Sequence, residues 1–335
     1  MEKRVSLKDI AQKVGVSTAL VSYVLNNQKE NRISKEIARK IRDTAQALNY
    51  RPNQIAKSLK TRKTLTIGLV VADIANPFFS TLARIIEDEA EKNRYTVIFG
   101  SSDETAERSQ RLIDVLLDRQ VDGLILAPTE NSEDQIRQLQ ERNIPFVLID
   151  RYFPALEANY VGVNNHEAAY QCGLHLLETG RKRIGFIGFQ TTLLHLQDRK
   201  KGFLKALQEG GVAFEKKQCR EVALDATHEE VEESIQQLLK GPGQVDAIFF
   251  ASNKLSTIGL KYINRLPVTV PTELALCSFD QSDATDLFYA PLTYVRQPLE
   301  EMGQSAVRIL LQAIEKQGPP VQLHLPASLV LGLSS

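Results

Sequence analysis

Charged and amide side chains follow several of the apolar segments in this sequence. Asp150 and Arg151 come after PFVLI, Asn253 after AIFFAS and Asp280 after LALCSF, while Arg199 lies within LQDRKKGF. Guanidinium, carboxylate and amide groups can bracket the hydroxyls of a polyol or a small acid. These residues therefore predict a small-molecule binding site. Structural alternatives stay open: Asp280 as a turn cap, Asn253 as the cap of a following helix, and Arg151 in a surface ion pair.

Aromatic and further polar residues extend this candidate site. Phe78 and Phe79 follow the first apolar segment in ANPFF, and aromatic rings can cover the apolar face of a sugar. Gln297 follows the segment TYVR and is a further candidate. His166 and His195 are weaker candidates, because their place near the others rests on inference alone.

Alternating strands and helices must position these residues. The predicted strands are Leu65–Val71, Thr96–Gly100, Gly123–Ala127, Phe146–Asp150, Arg183–Gly188, Ala247–Phe250 and Ala275–Phe279, separated by amphipathic stretches. This alternation is typical of doubly wound parallel sheets, and the number of strands favours two lobes. In such sheets ligands bind beyond the carboxyl ends of the strands, which is where the polar residues stand.

The amino-terminal segment is predicted to form three short helices. Ser6 caps the first and Gly15 ends it, Ser17 caps a second helix over Thr18–Leu25, and Ser34 caps a third. Two short helices joined by a tight turn form a helix-turn-helix, although a plain three-helix bundle is the alternative. Apolar residues of the third helix are spaced to close a small core: Ile37, Ile41, Ala45 and Leu48.

The net charge of zero hides an asymmetry. Residues 1–63 contain 15 Lys and Arg against 5 Asp and Glu, a net charge of +10, so the remaining residues carry −10. A basic segment can neutralise phosphates that an acidic one would repel. The charge distribution therefore predicts nucleic-acid binding by the amino-terminal segment.

The linker NYRPNQIAKSL resembles the hinge of the lactose-repressor (LacI/GalR) family of bacterial transcription regulators. The resemblance covers essentially the whole chain, through SLKDIAQKVGVS, VSYVLN, IGLVVADIANPFF, RIGFIG, RKKGF, SFDQSD and PLTYVRQPLEEMG. It implies an all-α helix-turn-helix head (residues 1–49), a hinge helix and linker (50–63) and an α/β body (64–335) of the periplasmic-binding-protein type. Lobe 1 would comprise about 64–162 and 292–325, and lobe 2 about 163–291 and 326–335.

The same resemblance assigns roles to residues. In the head and hinge, the implied DNA contacts are Ser17, Thr18, Ala19, Ser22, Tyr23, Asn26, Asn53, Ala56 and Leu59. Leu59 matches a leucine that wedges into the minor groove, a device that bends the duplex; its alternative is to anchor the linker. In the body, Arg199, Asn253 and Asp280 match the positions that hold the effector.

Two departures from the family pattern change what is expected. Tyr23 stands where the recognition helix usually has an arginine, and a phenol cannot make the bidentate guanine contact of arginine. The operator should therefore differ there. The loop DQSDATDLFYAP is more acidic than usual, with Asp280, Asp283 and Asp286, which favours a neutral or cationic ligand.

The function predicted is a sequence-specific DNA-binding regulator, a repressor switched by an effector, with a sugar or sugar derivative as the expected class. Double-stranded operator DNA, the effector and a second copy of the chain in a homodimer are the expected partners. A free-standing sugar-binding protein is the alternative. An enzyme is disfavoured by the absence of GxGxxG after the first strand, GxxxxGK[ST], GxSxG and HExxH from the sequence, so no catalytic residue, metal site or cofactor is expected.

Composition gives the remaining expectations. The sequence has no run of 18 uncharged apolar residues and no apolar stretch behind its charged amino terminus, so neither a membrane span nor a signal peptide is predicted and a cytoplasmic location is expected. The cysteines, Cys172, Cys219 and Cys277, are widely spaced and are expected to be reduced.

Overall fold

The computed structural model describes residues 5–27, 32–50, 63–241, 243–316 and 318–335. The chain divides into two compact units, Met1–Thr64 and Leu65–Ser335, which we call the head and the body. The hinge residues predicted to contact DNA, Asn53, Ala56 and Leu59, lie outside the described residues.

Three helices form the head as predicted: α1 (Leu7–Val14), α2 (Thr18–Leu25) and α3 (Lys35–Ala47). The hydroxyl of Ser6 accepts the backbone N–H of Asp9, whose carboxylate accepts the N–H of Ser6 in return. Gly15 ends α1 in the left-handed conformation (φ 81°) that glycine adopts without steric cost. The hydroxyls of Ser17 and Ser34 cap α2 and α3.

A small apolar core holds the three helices together. Its buried residues are Ile10, Ala11, Val21, Val24, Ile41 and Ala45. Burial of each valine or isoleucine side chain in this core stabilises the fold by roughly 1.5–3 kcal/mol. Ile37 was predicted to join this core, but 37% of its surface is exposed; it lies in the first turn of α3, one turn before the buried Ile41.

The first sheet of the body has six strands: β1 (Thr66–Val71), β2 (Thr96–Ser101), β3 (Gly123–Leu126), β4 (Phe146–Ile149), β5 (Tyr160–Val163) and β11 (Gln322–Leu325). Their order is β11-β5-β4-β3-β1-β2, and all neighbours are parallel. Four helices cover it: α4 (Pro77–Lys92), α5 (Ala106–Asp118), α6 (Glu133–Glu141) and α12 (Leu299–Ile314). Together these elements form lobe 1.

Alternate strand residues pack on opposite faces of this sheet. Leu69 lies in one core with residues of α4 and α12, whereas Val70 lies in the other with residues of α5 and α6. Both faces are therefore buried, which explains the continuous apolar runs of β1, β3 and β4.

The second sheet has six strands in the order β12-β10-β9-β8-β6-β7. They are β6 (Ile184–Phe189), β7 (Cys219–Val222), β8 (Ala247–Phe250), β9 (Ala275–Phe279), β10 (Thr293–Arg296) and β12 (Ser328–Val330). Helices α7 (Asn165–Glu178), α8 (Leu194–Glu209), α9 (His228–Leu238) and α10 (Asn253–Ile263), with the short α11 (Asp283–Leu287), complete lobe 2. All pairings are parallel except that of β10 with β12.

The predicted fold class, an all-α helix-turn-helix head with two doubly wound lobes, is confirmed. The strand β10 pairs with β9 of the second sheet. The chain therefore crosses to lobe 1 after Arg296 rather than near residue 292. Within the described ranges, no helix is long and apolar enough to cross a membrane.

A disulfide corrects the expectation of reduced cysteines. Cys172 of α7 is joined to Cys277 of β9, 105 residues away in sequence. Cys219 is a free thiol. Neither position signals this pairing in sequence, since only the packing of α7 on the second sheet brings the two together.

Candidate functional site

A cavity of about 80 Å³ lies between the two lobes, at the carboxyl ends of their strands. Its lining includes all eight of the main effector-contact candidates from the sequence: Phe78, Phe79, Asp150, Arg151, Arg199, Asn253, Asp280 and Gln297. The structure thus brings these residues together, and whether they contact an effector remains a prediction. His195 also lines the cavity, whereas His166 is not among the lining residues.

In lobe 1, the wall is built around the Arg151 guanidinium. Its two terminal nitrogens each donate to a carboxylate oxygen of Glu104 at 2.6 Å, and Nη1 also donates to the carbonyl of Pro128 at 3.3 Å. The Nε lies 3.4 Å from Asp150 Oδ2. Because Arg151 is buried, its alternative as a surface ion pair is wrong.

Asp150 follows β4 in the left-handed conformation, with φ 67°. Tyr160 donates from its hydroxyl to the Asp150 carbonyl at 3.3 Å. Burial raises the pKa of the Asp150 carboxyl to about 6, although the nearby Arg151 and Arg199 charges partly oppose the shift. The carboxyl therefore changes charge within the range of pH in which proteins are ordinarily studied.

In lobe 2, the wall is built around Arg199 of α8. Its Nε donates to Asn165 Oδ1 at 2.8 Å and Nη1 donates to the Ala251 carbonyl at 2.9 Å. Nη1 also lies 3.5 Å from Asp280 Oδ2. The guanidinium stacks 3.6 Å from the centre of the Phe279 ring, a cation–π contact. Arg199 is therefore held in place on several sides without a bidentate carboxylate.

Asp280 follows β9 and also has a positive φ, 69°. Gln297 donates from Nε2 to Asp280 Oδ1 at 2.5 Å. Burial raises the pKa of the Asp280 carboxyl, and the charge of Arg199 and the bond from Gln297 oppose this. The Oε1 of Gln297 is buried and accepts no hydrogen bond from any described residue.

His195 stands at the start of α8 and is 5% exposed. Burial, together with the charges of Arg151 and Arg199, lowers the pKa of its imidazole well below the usual value. The ring is therefore neutral at pH 7. Its Nε2 lies 4.0 Å from Asp150 Oδ2, and its Nδ1 is buried with no hydrogen-bond partner among the described residues.

Two sets of hydrogen bonds connect the two lobes. Asn253 of lobe 2 donates from Nδ2 to Asn76 Oδ1 of lobe 1 at 2.7 Å. Glu130, after β3, accepts from the Thr191 hydroxyl at 2.5 Å and from the Thr192 hydroxyl at 2.9 Å, as well as from the Thr192 backbone. These bonds hold the lobes in the arrangement seen here.

Aromatic rings form the apolar part of the lining. Phe78 and Phe79 are both buried and meet edge to face, with centroids 4.9 Å apart. The guanidinium carbon of Arg151 lies 5.6 Å from the Phe79 centroid. Asn76 positions them, because its side chain caps α4 by accepting the Phe78 N–H at 3.0 Å.

Sequence reasoning overestimated one feature of the site and missed others. Of the three acidic residues in the loop after β9, only Asp280 lines the cavity, while Asp283 and Asp286 are exposed. Glu104 and Glu130 were missed, although each follows a predicted strand at its carboxyl end, which was the signal that could have found them.

The head presents the predicted DNA-contact residues on and beside α2. Thr18, Ala19 and Asn26 are exposed, and Ser22 and Tyr23 are partly exposed. The hydroxyl of Ser17 accepts the Leu20 N–H at 3.2 Å as the cap of α2. Exposed basic residues elsewhere on the head are Lys8, Lys13, Arg32, Lys35, Arg39, Lys40 and Arg42.

Comparison with known proteins matches both units. Residues 6–53 match the family described as bacterial regulatory proteins, lacI family. Residues 64–328 match the family described as periplasmic binding proteins and sugar binding domain of LacI family.

Relatives and solved structures resemble the chain over nearly its whole length. The ribose operon repressor of Halalkalibacterium halodurans is 32% identical over 312 residues, which cover 93% of this chain and 91% of the relative. The transcriptional repressor CytR of Escherichia coli is 30% identical over 316 residues, covering 94% and 92%. The lac repressor dimer bound to operator and the anti-inducer ONPF shares the fold, with a TM-score of 0.87, 22% identity and 99% of each chain covered.

Proposed function

Because this chain belongs to the LacI family of bacterial regulatory proteins, we propose that it is a transcriptional repressor that binds operator DNA through its head and a small-molecule effector through its body. One observation carries this proposal. A basic helix-turn-helix head and a body whose two lobes enclose buried polar side chains occur in one chain. A free-standing sugar-binding protein would not require a basic helix-turn-helix head.

For the DNA half, we propose that α2 enters the major groove and that the exposed cations of the head contact phosphates. Phosphate contacts set position and register, whereas base edges are distinguished by side chains in the groove. Thr18, Ala19 and Tyr23 are the proposed base contacts. Two copies of the chain would present two heads to a palindromic site, so we propose a homodimer as the DNA-binding unit.

For the effector half, we propose that the ligand lies between the lobes against Arg199, Asp280, Asn253 and the two phenylalanines. A sugar or sugar derivative is the class that these groups suit, since hydroxyls both donate and accept hydrogen bonds and an aromatic wall covers an apolar ring face. The matched family's description as a sugar binding domain supports this class.

Coupling between the halves follows from the position of the cavity. A ligand that contacts both lobes favours one lobe arrangement over others, and lobe 1 continues directly from the hinge segment. An affinity change of about 5- to 150-fold, equivalent to roughly 1–3 kcal/mol, is the usual range for such a switch.

The experiment begins with an operator selected from random DNA by the purified full-length protein. Binding to this operator is then titrated in the presence of sugars, sugar acids, polyols and nucleosides. We expect one compound to change operator affinity in the wild type and not in Arg199→Ala or Asp280→Ala. Asp283→Ala is the matched control, since Asp283 lies in the same loop but is exposed, and it should respond as the wild type does.

The alternatives give different results. A free-standing sugar-binding protein would be stabilised by a sugar but would select no operator. An unchanged response of both cleft variants would move the effector site away from the cavity between the lobes.

A further inference from the structure

The buried charges of the cavity compensate one another. The Arg151 guanidinium makes two 2.6 Å bonds with Glu104 and lies 3.4 Å from Asp150. The Arg199 guanidinium lies 3.5 Å from Asp280. Three carboxylates thus face two guanidinium groups. Among the described lining residues, each guanidinium therefore already has a carboxylate partner, and an anionic ligand would have to compete with that carboxylate.

The charges at the edge of the cavity do not change this balance. Lys254 and Asp73 are the other charged residues of the described lining, and they are opposite in sign. The Lys254 ammonium donates to the Leu224 carbonyl at 3.0 Å and lies 5.9 Å from the Phe189 ring centre. It is on the exposed side of its helix, where solvent screens its charge.

Neutral polar groups of the cavity, by contrast, are left without hydrogen bonds. Among the described residues, the buried neutral atoms without a hydrogen-bond partner include His195 Nδ1 and Gln297 Oε1, and both residues line the cavity. A buried polar atom without a partner is costly, so a ligand that supplies one binds favourably. Hydroxyl groups can serve both atoms, because each hydroxyl both donates and accepts.

From these two observations we infer that the effector carries no negative charge, and that Glu104 is the residue that excludes anions from the site. The ligand class is a neutral polyhydroxy compound rather than its phosphate or its acid. Glu104 acts by occupying both terminal nitrogens of Arg151, the fork that would otherwise hold a phosphate or carboxylate in bidentate fashion. This inference rests on the proposed function for the presence of an effector, but the exclusion of anions can be tested without knowing that effector.

The first test uses inorganic phosphate as the probe on the full-length protein. Phosphate binding is measured by isothermal titration and by the shift in melting temperature, at constant ionic strength set with chloride. Wild type should show no saturable binding, whereas Glu104→Gln should bind phosphate at least about tenfold more tightly, because the Arg151 fork is released. Glu107→Gln, an exposed acid three residues away, is the control and should behave as wild type.

Two further variants show which guanidinium binds phosphate and provide an independent test in case one variant does not fold. Adding Arg151→Met to Glu104→Gln should abolish the acquired phosphate binding. Asp280→Asn, which removes the carboxylate facing Arg199, should acquire phosphate binding independently of position 104. Saturable phosphate binding by wild type that Arg151→Met removes would overturn the inference, as would folded Glu104→Gln and Asp280→Asn proteins that both fail to bind.

The second test compares matched pairs: ribose with ribose 5-phosphate, and glucose with glucose 6-phosphate and gluconate. We expect the neutral member of any pair that acts to stabilise the wild type more than its anionic partner. Tighter binding of the anionic member would overturn the inference. If no compound of the wider panel alters operator binding, the proposed function fails, while the phosphate titrations still decide whether Glu104 excludes anions.

Discussion

The two lobes of the body place an aspartate after the corresponding strand of their sheets, yet the neighbouring arginine is neutralised in a different way in each lobe. In sheet order, β4 of lobe 1 corresponds to β9 of lobe 2. Asp150 follows the first and Asp280 the second, with φ values of 67° and 69°. Aspartate is one of the few residue types that tolerate this conformation, so the fold turns both carboxyls toward the cavity in the same manner.

The arginines show the difference. Arg151 is the next residue after Asp150 and donates two hydrogen bonds to Glu104. Burial lowers the pKa of Arg151, but its interactions with Glu104 and Asp150 outweigh burial and raise the pKa overall. Arg199 comes from α8, and burial lowers its pKa more than Asp280 and Asp150 restore it. Both remain charged, since arginine does not deprotonate in proteins. The comparison suggests that Arg151 mainly stabilises lobe 1, whereas Arg199 retains capacity for a ligand.

The largest expected effect separates the two arginines. Arg151→Met leaves Glu104 and Asp150 without their cation and should reduce the free energy of unfolding by about 3–5 kcal/mol, the usual cost of breaking a buried ion pair. Arg199→Met should cost less, about 1–3 kcal/mol, because Gln297 still bonds Asp280, which can also take up a proton. Urea denaturation followed by circular dichroism measures both.

The same variants test the division of roles. Arg199→Met should remain folded and lose the effector response. A larger loss of stability in Arg199→Met than in Arg151→Met would reverse the assignment of the structural and the ligand-facing arginine.

A pH-dependent effect of intermediate size is expected for Asp150→Asn. The pKa of Asp150 is raised to about 6 in the folded protein, so the folded state binds a proton more tightly than the unfolded one. Ionisation of Asp150 therefore costs stability as pH rises from about 4 to about 6, and the cost then stays constant. The gain in unfolding free energy of Asp150→Asn over wild type should be about 1.4 kcal/mol larger at pH 7.5 than at pH 5.

Asp280→Asn sharpens this comparison, because burial also raises the pKa of Asp280. Its advantage over wild type should grow with pH in the same direction. The measurement is urea denaturation of the three proteins at both pH values, with Asp283→Asn as the exposed control. A gain that shrinks as pH rises would show that the charge of Arg151 dominates over burial at Asp150.

The smallest expected effect concerns the bonds between the lobes. Burial raises the pKa of the Glu130 carboxyl, but the bonds from Thr191 and Thr192 outweigh it and lower the pKa overall. The stability that these hydrogen bonds contribute is therefore fully present above the usual glutamate pKa. It is lost only when the pH falls through the lowered pKa of Glu130. At pH 7.5, Glu130→Ala should reduce the free energy of unfolding by about 1 kcal/mol.

Effector affinity gives a second measure of the hydrogen bonds that Glu130 makes between the lobes. Glu130→Ala should also weaken effector binding severalfold, since the lobe arrangement that binds is no longer supported. Glu133→Ala, three residues later at the start of α6, is the control. Unchanged affinity in Glu130→Ala would indicate that these bonds do not contribute to the ligand-binding arrangement.

Particular residues show how far the sequence could predict this structure. The buried central strands were found, because β1, β3 and β8 are continuous apolar runs between turn residues. The strands β7, β11 and β12 were missed since they lie at sheet edges and are short or polar, as in CREV and QLHL. The strand β5 was missed because YVGV is short and contains glycine. The strand β10 was missed because TYVR is short and ends in a charge.

The sequence by itself determined the helix caps, the central strands, the basic head and the polar residues at strand ends. These depend on interactions between residues close in the chain, on a periodicity of two or 3.6, or on net charge. Only the tertiary structure decided how the charges of the cavity are paired. Glu104 meets Arg151 across 47 residues, Asn253 meets Asn76 across 177 and Glu130 meets Thr191 across 61. Such partners are chosen by the packing of two sheets, which no local pattern encodes.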